Sequence, residues 1–320
     1  MMQAPAFWEQ PDHPATTLLR PASWVWQSVT RWRLAHGARQ KTPIPSLCIG
    51  NLTAGGAGKT PTAIALAQLL QELGAKPAFG NRGYGATPSA PCVQVDVAKH
   101  TAKEVGDEAL LLAAQAPCYV SADRMAAARA AQADGATHII YDDGLQNPTI
   151  AYDHALLVID GAYGVGNGQV MPAGPLRETL QSALPRVDGI IIIGDDKQNL
   201  AAQRGDKPLF RGTLQPATGS LKKDEKYFAF AGIGRPEKFF ATCRNEGLQL
   251  AATRCFPDHH LFTAQELVSL AQKALEQQAL LITTAKDATR LSPAWRDRVQ
   301  VLSVALRFDA PETLTQLLVT

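Results

Sequence analysis

The sequence predicts an α/β protein with two α/β/α sandwich domains, and two observations lead to this prediction. Short apolar runs typical of buried strands alternate with helical stretches along most of the chain, which is the pattern of parallel sheets covered by helices on both faces. In addition, the 320 residues, 46% of them hydrophobic, are enough to bury two cores of medium size.

The predicted elements form two sets that meet near residues 150–154. The first set has strands at 46–49, 93–97, 118–120 and 138–141, with helices at 60–73, 108–115 and 124–133. The second set has strands at 154–159, 189–193, 227–230, 280–283 and 299–304, with helices at 236–246 and 264–277. The pattern thus predicts a first domain of residues 1–150 and a smaller second domain of residues 151–306. We expect the residues from about 307 to 320 to return to the first domain.

Composition and charge exclude several classes of protein. A formal net charge of +2 is too mild to indicate nucleic-acid binding. The five cysteines are widely spaced and include no CxxC pair, which is typical of free thiols in a reducing, cytoplasmic compartment. No apolar run reaches the roughly 18 to 20 residues that a membrane-spanning helix needs, and the N-terminus lacks the apolar core of a cleavable leader. These features predict a protein that is neither integral to a membrane nor secreted.

The N-terminal region combines tryptophan with positive charge. Four of the five tryptophans lie near the N-terminus, and residues 13–71 contain no acidic side chain. Helical spacing over 22–36 places Val25, Val29 and Trp32 on one side, with arginines flanking that stripe. Such a helix predicts peripheral attachment to an anionic lipid surface. The alternative is an ordinary amphipathic helix that packs on the protein's own core.

A glycine-rich segment at 50–61 is the most informative part of the chain. Its glycines would let backbone N–H groups surround phosphate oxygens beside the positive end of the following helix. This predicts a P-loop, and a first domain with a P-loop NTPase-type parallel sheet. Lys59 would then reach the β- and γ-phosphates of a nucleotide, and the Thr60 hydroxyl would bind Mg²⁺. Thr53 replaces the first glycine of the GxxxxGK[ST] pattern, so a glycine-rich turn with a surface lysine remains the alternative. The predicted phosphate-binding residues are Thr53, Ala54, Gly55, Gly56, Ala57, Gly58, Lys59 and Thr60.

Two acidic groups are candidates for metal binding and catalysis. Asp142 and Asp143 end an apolar strand, which is the position of the carboxylate that supports a nucleotide-bound Mg²⁺. Paired acids at strand ends also occur as simple turn residues. Asp107 and Glu108 precede a predicted helix, where the alternative role is to cap its N-terminus. Spacing alone does not separate capping from catalysis.

The second half of the chain offers a histidine pair and a charged loop. His259 and His260 are adjacent, so their side chains point in different directions, and no cluster of cysteines or acids completes a zinc site around them. A histidine that positions or deprotonates a hydroxyl is the more plausible interpretation. Arg177 and Glu178 lie in a loop, where the arginine would hold a substrate phosphate or, alternatively, form a solvated ion pair.

Seven motifs, taken in their order and spacing, resemble those of the tetraacyldisaccharide 4'-kinases. They are GNLTAGGAGKTPT at 50–62, NRGYG at 81–85, EVGDEALLLA at 104–113, DDGLQN at 142–147, GQVMPAGPLRE at 168–178, FPDHHLFT at 256–263 and TTAKDATRL at 283–291. The resemblance implies a kinase of lipid A biosynthesis that uses ATP and Mg²⁺ to phosphorylate the 4'-hydroxyl of a glycolipid, a tetraacylated glucosamine disaccharide 1-phosphate. It also implies a site at the cytoplasmic face of the bacterial inner membrane, in a cleft between two domains joined by a two-stranded hinge. We expect a monomer.

The same resemblance assigns roles to individual residues. Asp107 and His259 match a catalytic acid–histidine pair, which can meet only across the cleft because the two residues lie far apart in the chain. The acids expected around Mg²⁺ correspond to Glu108, Asp142 and Asp143, with Thr60 as a further ligand. Positions associated with substrate or nucleotide contact correspond to Arg124, Arg177 and Glu178. The chain departs from the family pattern at Asn81, Leu145, Asn147 and Ala285.

Overall fold

The computed structural model describes residues 5–10, 12–217 and 221–319, with the backbone alone for residue 319. The α-helices are α1 (Pro14–Ala35), α2 (Lys59–Glu72), α3 (Ala102–Val105), α4 (Asp107–Ala113), α5 (Arg124–Ala133), α6 (Leu180–Ala183), α7 (Pro236–Asn245), α8 (Ala264–Glu276), α9 (Ala285–Ala288), α10 (Pro293–Arg296) and α11 (Pro311–Val319). Short 3₁₀ helices lie at Ala6–Glu9, Leu184–Arg186 and Leu200–Gln203. The strands are β1 (Gln40–Lys41), β2 (Ser46–Gly50), β3 (Pro77–Asn81), β4 (Cys92–Gln94), β5 (Cys118–Ser121), β6 (His138–Asp142), β7 (Ile150–Ala151), β8 (His154–Asp160), β9 (Gly189–Ile193), β10 (Leu209–Pro216), β11 (Lys226–Ala231), β12 (Gln249–Cys255), β13 (Ala279–Thr284), β14 (Gln300–Leu302) and β15 (Val304–Phe308).

The larger sheet places the ends of three central strands side by side. Within the described residues it has nine strands in the order β15–β10–β9–β8–β2–β6–β3–β5–β4. The strands from β10 to β5 run parallel, and an antiparallel strand closes each edge. Because the carboxyl ends of parallel strands meet at one edge of a sheet, the loops after β2, β6 and β8 lie next to one another. This edge carries the candidate site.

Helices cover both faces of the larger sheet. On one face α2, α4 and α11 bury Leu66, Leu112 and Leu314 against the strands. On the other face α5 and α6 bury Ala127 and Leu180. Every residue of β2 is buried, as expected for a central parallel strand that has helices on both sides.

The smaller sheet is also parallel and also lies between helices. Its four described strands follow the order β12–β11–β13–β14. Phe240 of α7 packs on one face and Leu270 of α8 on the other, and both side chains are fully buried. The predicted fold class, two α/β/α sandwiches, is therefore confirmed.

Two adjacent chain segments connect the sheets. The first half of β10 pairs with β9, and its second half pairs with β15 in an antiparallel ladder that ends with Pro216 opposite Val304. Only Ser303 separates β14 of the smaller sheet from β15 of the larger one. Its carbonyl oxygen accepts a hydrogen bond from the amide of Ala217 at 2.9 Å. The chain thus enters and leaves the smaller sheet through one two-stranded ladder.

The sheets divide the chain at a different place from the predicted junction near 150–154. The strands β8, β9 and β10 belong to the larger sheet, so part of the segment 151–306 completes the first domain rather than the second. The physical reason is that a short apolar run such as His154–Asp160 fits any buried parallel strand and does not identify its partner. Pairing between distant segments decides the sheet.

Several strands also differ from the predicted set. The run at 299–304 is not one strand, because β14 and β15 lie in different sheets. β3 begins with Pro77 and contains Gly80, both poor strand formers, and it was not predicted. β10 and β12 were not predicted either, since they are only partly buried and have no continuous apolar run.

The N-terminal helix α1 begins at Pro14, earlier than the predicted span of 22–36, because it continues through the internal Pro21. Pro14 lies in the first turn, where proline is well tolerated. The Ser23 hydroxyl, which is buried, donates to the carbonyl of Val170 at 2.7 Å and accepts from the amide of Ala173 at 3.0 Å. These contacts attach α1 to the larger domain. No helix in the described part of the chain is long and apolar enough to cross a membrane.

Candidate active site

The glycine-rich loop connects β2 with the N-terminus of α2. Gly58 precedes the helix with φ 89°, a left-handed conformation that glycine adopts without strain. The amide of Ala54 donates to the carbonyl of Pro175 at 2.8 Å, which fixes the start of the loop. Gly55 and Gly56 are exposed, and a Cβ on either would meet nothing within 4 Å. An open loop at a helix N-terminus is suited to bind phosphate.

The first residues of α2 face the two acids at the carboxyl end of β6, Asp142 and Asp143. The Thr60 hydroxyl donates to Asp142 Oδ2 at 2.8 Å. Lys59 Nζ donates to Asn51 Oδ1 at 3.1 Å and lies 3.6 Å from Asp143 Oδ2. The structure therefore brings the residues predicted for phosphate and metal binding together at one edge of the larger sheet.

The two adjacent acids differ in acidity. Burial and the nearby Glu108 carboxylate raise the pKa of Asp142 above its ordinary value. Burial opposes the ionisation of Asp143 too, but the charges of Lys59 and Arg177 lower its pKa to about 2. Asp142 Oδ1 is buried and has no hydrogen-bond partner among the described residues. A buried carboxylate oxygen that accepts no hydrogen bond is suited to bind a cation.

Asp107 and His259, which are 152 residues apart in the chain, meet across the cleft between the domains. His259 Nδ1 lies 3.0 Å from Asp107 Oδ2. Gly106, not Asp107, occupies the N-cap of α4, but Asp107 Oδ1 accepts a hydrogen bond from the first-turn amide of Glu108 at 2.9 Å. One oxygen of this carboxylate thus serves the helix N-terminus, while the other binds His259. His260 bonds instead to Glu266 at 3.0 Å, and the two adjacent histidines therefore serve different carboxylates.

Two cations of the second domain complete this cluster. Arg290 Nε donates to Asp107 Oδ2 at 2.9 Å, and Lys286 Nζ donates to Glu108 Oε1 at 3.0 Å. Burial alone would raise the pKa of Asp107, but the hydrogen bond with His259 and the two cations hold it well below its ordinary value. Sequence spacing does not indicate these contacts, because the partners lie 183 and 178 residues apart.

The three residues predicted to contact substrate occupy different environments. Arg177 Nη1 donates to Asp143 Oδ1 at 2.7 Å, and its side chain is partly exposed. Arg124 is buried and donates to the carbonyl oxygen of Asp143 at 2.7 Å, so it supports the backbone of that acid. Glu178 is buried in an ion pair with Arg186. The structure brings Arg177 to the site, whereas it places Arg124 and Glu178 beneath it.

A phosphate loop, adjacent acids and an acid–histidine pair between two α/β/α domains define the class of P-loop kinases. The family model described as tetraacyldisaccharide-1-P 4'-kinase matches residues 15–320. A tetraacyldisaccharide 4'-kinase from Paramagnetospirillum magneticum is 47% identical over 319 residues, covering 99% of this chain and 98% of that protein. A tetraacyldisaccharide 4'-kinase from Jannaschia sp. is 48% identical over 314 residues, covering 96% of this chain and 95% of that protein. The chain belongs to the tetraacyldisaccharide 4'-kinase family.

A solved structure shares the fold. The crystal structure of LpxK from Aquifex aeolicus in complex with ATP is similar with a TM-score of 0.76. The similarity covers 95% of this chain and 98% of that chain at 23% sequence identity. At this level of identity the match concerns the fold.

Proposed function

We propose that this chain transfers the γ-phosphate of ATP to the 4'-hydroxyl of a tetraacylated glucosamine disaccharide 1-phosphate in lipid A biosynthesis, at the cleft between its two domains. Its family membership makes it a phosphotransferase that acts on a hydroxyl group. The observation that carries the assignment of the site is the contact between His259 and Asp107. It places a titratable pair from both domains near the acids that adjoin the phosphate loop.

The chain's own residues supply positioning, charge and a proton acceptor. Lys59 stabilises negative charge on the β- and γ-phosphates, which is the main source of catalysis in phosphoryl transfer. The Asp107–His259 pair accepts the proton of the attacking hydroxyl. Because the two members come from different domains, domain closure both assembles the pair and excludes water from the cleft.

Two oxygen atoms beside the phosphate loop support a magnesium ion as part of the same proposal. Asp142 Oδ1 is the buried oxygen without a donor, and the Thr60 hydroxyl lies 2.8 Å from the other oxygen of the same carboxylate. Hydroxyl and carboxylate oxygens are the ligands that Mg²⁺ prefers. Thr60 and Asp142 would hold the ion. Glu108 and Asp143, which bond to Lys286 and Arg177 in the structure, are its further proposed ligands. When bound, Mg²⁺ neutralises charge on the β- and γ-phosphates.

The activity is tested by incubating the protein with γ-labelled ATP, Mg²⁺ and detergent-dispersed tetraacyl disaccharide 1-phosphate. We expect a labelled bisphosphorylated lipid on thin-layer chromatography and none with the matched acceptor that lacks the 4'-hydroxyl. Unlabelled ATP should suppress the labelling more strongly than unlabelled GTP does. An unlabelled lipid, or equal suppression by GTP, would contradict the proposed function and favour a nucleotide-hydrolysing switch protein.

Peripheral attachment to the inner membrane at its cytoplasmic face, where ATP is present, belongs to the same proposal. One face of α1 is apolar and exposed, and its side chains Trp24, Val25 and Trp32 are each more than 60% exposed. The residues that α1 buries are instead Thr16, Ser23 and Leu34. The tryptophan face therefore does not pack on the protein's own core. Tryptophan and arginine on one helix favour the interface of an anionic bilayer.

This helix lies directly beside the candidate site. The indole of Trp26 donates to the carbonyl oxygen of Arg177 at 3.2 Å, and Arg177 in turn bonds to Asp143. A glycolipid headgroup at the membrane surface would thus reach the cleft without leaving the bilayer. This arrangement supports a substrate contact for Arg177.

Replacing Trp24 and Trp32 by serine should weaken binding to anionic vesicles by at least about a hundredfold, because the two lost side chains together remove roughly 3–6 kcal/mol of apolar burial. Vesicle flotation measures the effect. The matched control is Leu275→Ser, since Leu275 is 78% exposed on a helix of the second domain. Equal flotation of the tryptophan variant, the control and the unmodified protein would contradict membrane attachment through α1.

A further inference from the structure

A loop of the second domain contacts the phosphate loop across the cleft. Arg235, the residue immediately before α7, donates through Nη2 to the carbonyl oxygen of Gly56 at 2.6 Å. A Cβ built on Gly234 would lie 3.8 Å from the amide nitrogen of Gly56. The contact joins residues 179 apart in the chain, and it crosses the same cleft as the pair of Asp107 and His259.

Two groups of the first domain fix the guanidinium of Arg235. Asp160, which is buried at the carboxyl end of β8, lies 3.0 Å from Nη2 through its Oδ2 atom. The Tyr163 ring lies against the guanidinium, with 4.5 Å between the ring centroid and Cζ. Lys238 Nζ binds the same oxygen of Asp160 at 2.7 Å, and among the described residues it forms no hydrogen bond with the phosphate loop. A planar guanidinium can donate hydrogen bonds to a carbonyl and a carboxylate while its face stacks on an aromatic ring. The compact ammonium of lysine lacks a planar face for this stacking.

The hydrogen bond from Arg235 to the Gly56 carbonyl also orients the backbone amide of Ala57. The oxygen of Gly56 and the N–H of Ala57 belong to one peptide unit, which is trans. In a planar trans peptide the two groups point in opposite directions, so a donor that fixes the oxygen fixes the N–H as well. The exposed Gly55 and Gly56 place few steric limits on rotation of this peptide. Backbone N–H groups are the phosphate ligands of such loops.

We infer that Arg235 is a positioning residue for ATP, which orients the peptide unit of Gly56 and Ala57 so that its N–H is ready to bind phosphate. Because Arg235 belongs to the second domain and Asp160 to the first, this orientation is completed only when the domains are close. The inference rests on the proposed function, since it requires the loop to bind the phosphates of ATP. Arg235 acts on the nucleotide side of the cleft, so its loss affects ATP rather than the glycolipid.

The test compares Arg235→Gln, Arg235→Lys and the matched control Lys238→Gln in the full-length protein. We expect Arg235→Gln to raise the KM for ATP about tenfold, the loss of one charge-assisted hydrogen bond, and to leave the KM for the glycolipid unchanged. Arg235→Lys should recover part of this loss, because lysine still donates to one acceptor. Lys238→Gln removes the other cation that binds Asp160, but it removes no hydrogen bond to the phosphate loop. The KM for ATP of this variant should equal that of the unmodified protein.

Three results would overturn the inference while the unmodified protein remains an active kinase. They are an unchanged KM for ATP in Arg235→Gln, an equal rise in the KM of both substrates, and an equal rise in Lys238→Gln. Circular dichroism checks that each variant is folded. A failure of the unmodified protein to phosphorylate the glycolipid would instead contradict the proposed function, so the two failures are distinguishable.

Discussion

Replacing Asp107 by asparagine is expected to lower turnover about 10³-fold, the size of effect typical of a lost acid–base pair. Asparagine keeps the shape of the side chain but removes the anion that binds His259 at 3.0 Å and Arg290 at 2.9 Å. The imidazole then loses the carboxylate that orients it. The affinity for ATP should change little, because Asp107 does not contact the phosphate loop in the structure. Steady-state kinetics and fluorescent-nucleotide binding measure the two quantities.

The control for Asp107→Asn is Glu104→Gln, an exposed acid of the same segment that accepts hydrogen bonds within a helix cap. It should retain full turnover. Asp107→Asn also removes one of the two carboxylates that bind the buried Arg290, which keeps its ion pair with Asp287 at 3.0 Å. Thermal unfolding must therefore be recorded and the assay run well below the transition. Turnover of folded Asp107→Asn equal to that of Glu104→Gln would exclude Asp107 from the chemistry.

Replacing Lys59 by alanine is expected to lower kcat/KM for ATP by about 10²–10³-fold, as for removal of one preorganised electrostatic donor. Lys59 Nζ lies between Asn51 and Asp143 at the first turn of α2, where the β- and γ-phosphates of a nucleotide would bind. Alanine removes this positive charge but preserves the helix, since alanine is the strongest helix former. Phosphate transfer from labelled ATP at several ATP concentrations measures the loss.

Lys41→Ala provides the comparison for Lys59→Ala. Lys41 lies shortly before the same central strand, and its side chain is 82% exposed. Its ion-pair partner is Asp153, at 3.9 Å, which is not an acid of the site. Its replacement should leave kcat/KM unaltered. If Lys59→Ala behaved like Lys41→Ala, the loop would not bind the phosphates in the proposed way.

The sequence predicted best those features that lie in one continuous segment. The strand, glycine loop and helix around Lys59 follow one another directly, and each carries its own local signal, namely buried apolar residues, glycines and helical periodicity. The helix Arg124–Ala133 was predicted with the same bounds for the same reason. The pairing of Asp107 with His259 came from the family resemblance, because no local signal joins residues 152 positions apart.

The features that escaped prediction depend on contacts between distant segments. The domain junction was misplaced because β8 pairs with β2, a choice that the apolar run of β8 does not encode. Arg290 lies in the motif TTAKDATRL at 283–291, but the motif alone assigns it no role. The roles of Arg290 and Arg235 follow from the partners that the fold supplies, Asp107 and Gly56. Such residues are found when the cleft is inspected in three dimensions.

The central claim is that Asp107 and His259 act as one unit across the cleft, and a double-mutant cycle on kcat tests it most directly. The cycle compares Asp107→Asn, His259→Gln and the double variant, with His260→Gln as control, since the adjacent histidine serves Glu266 instead. If the two residues form one proton-accepting unit, the double variant loses about as much activity as either single variant. Losses that multiply in the double variant would show that the residues act independently and would contradict the account.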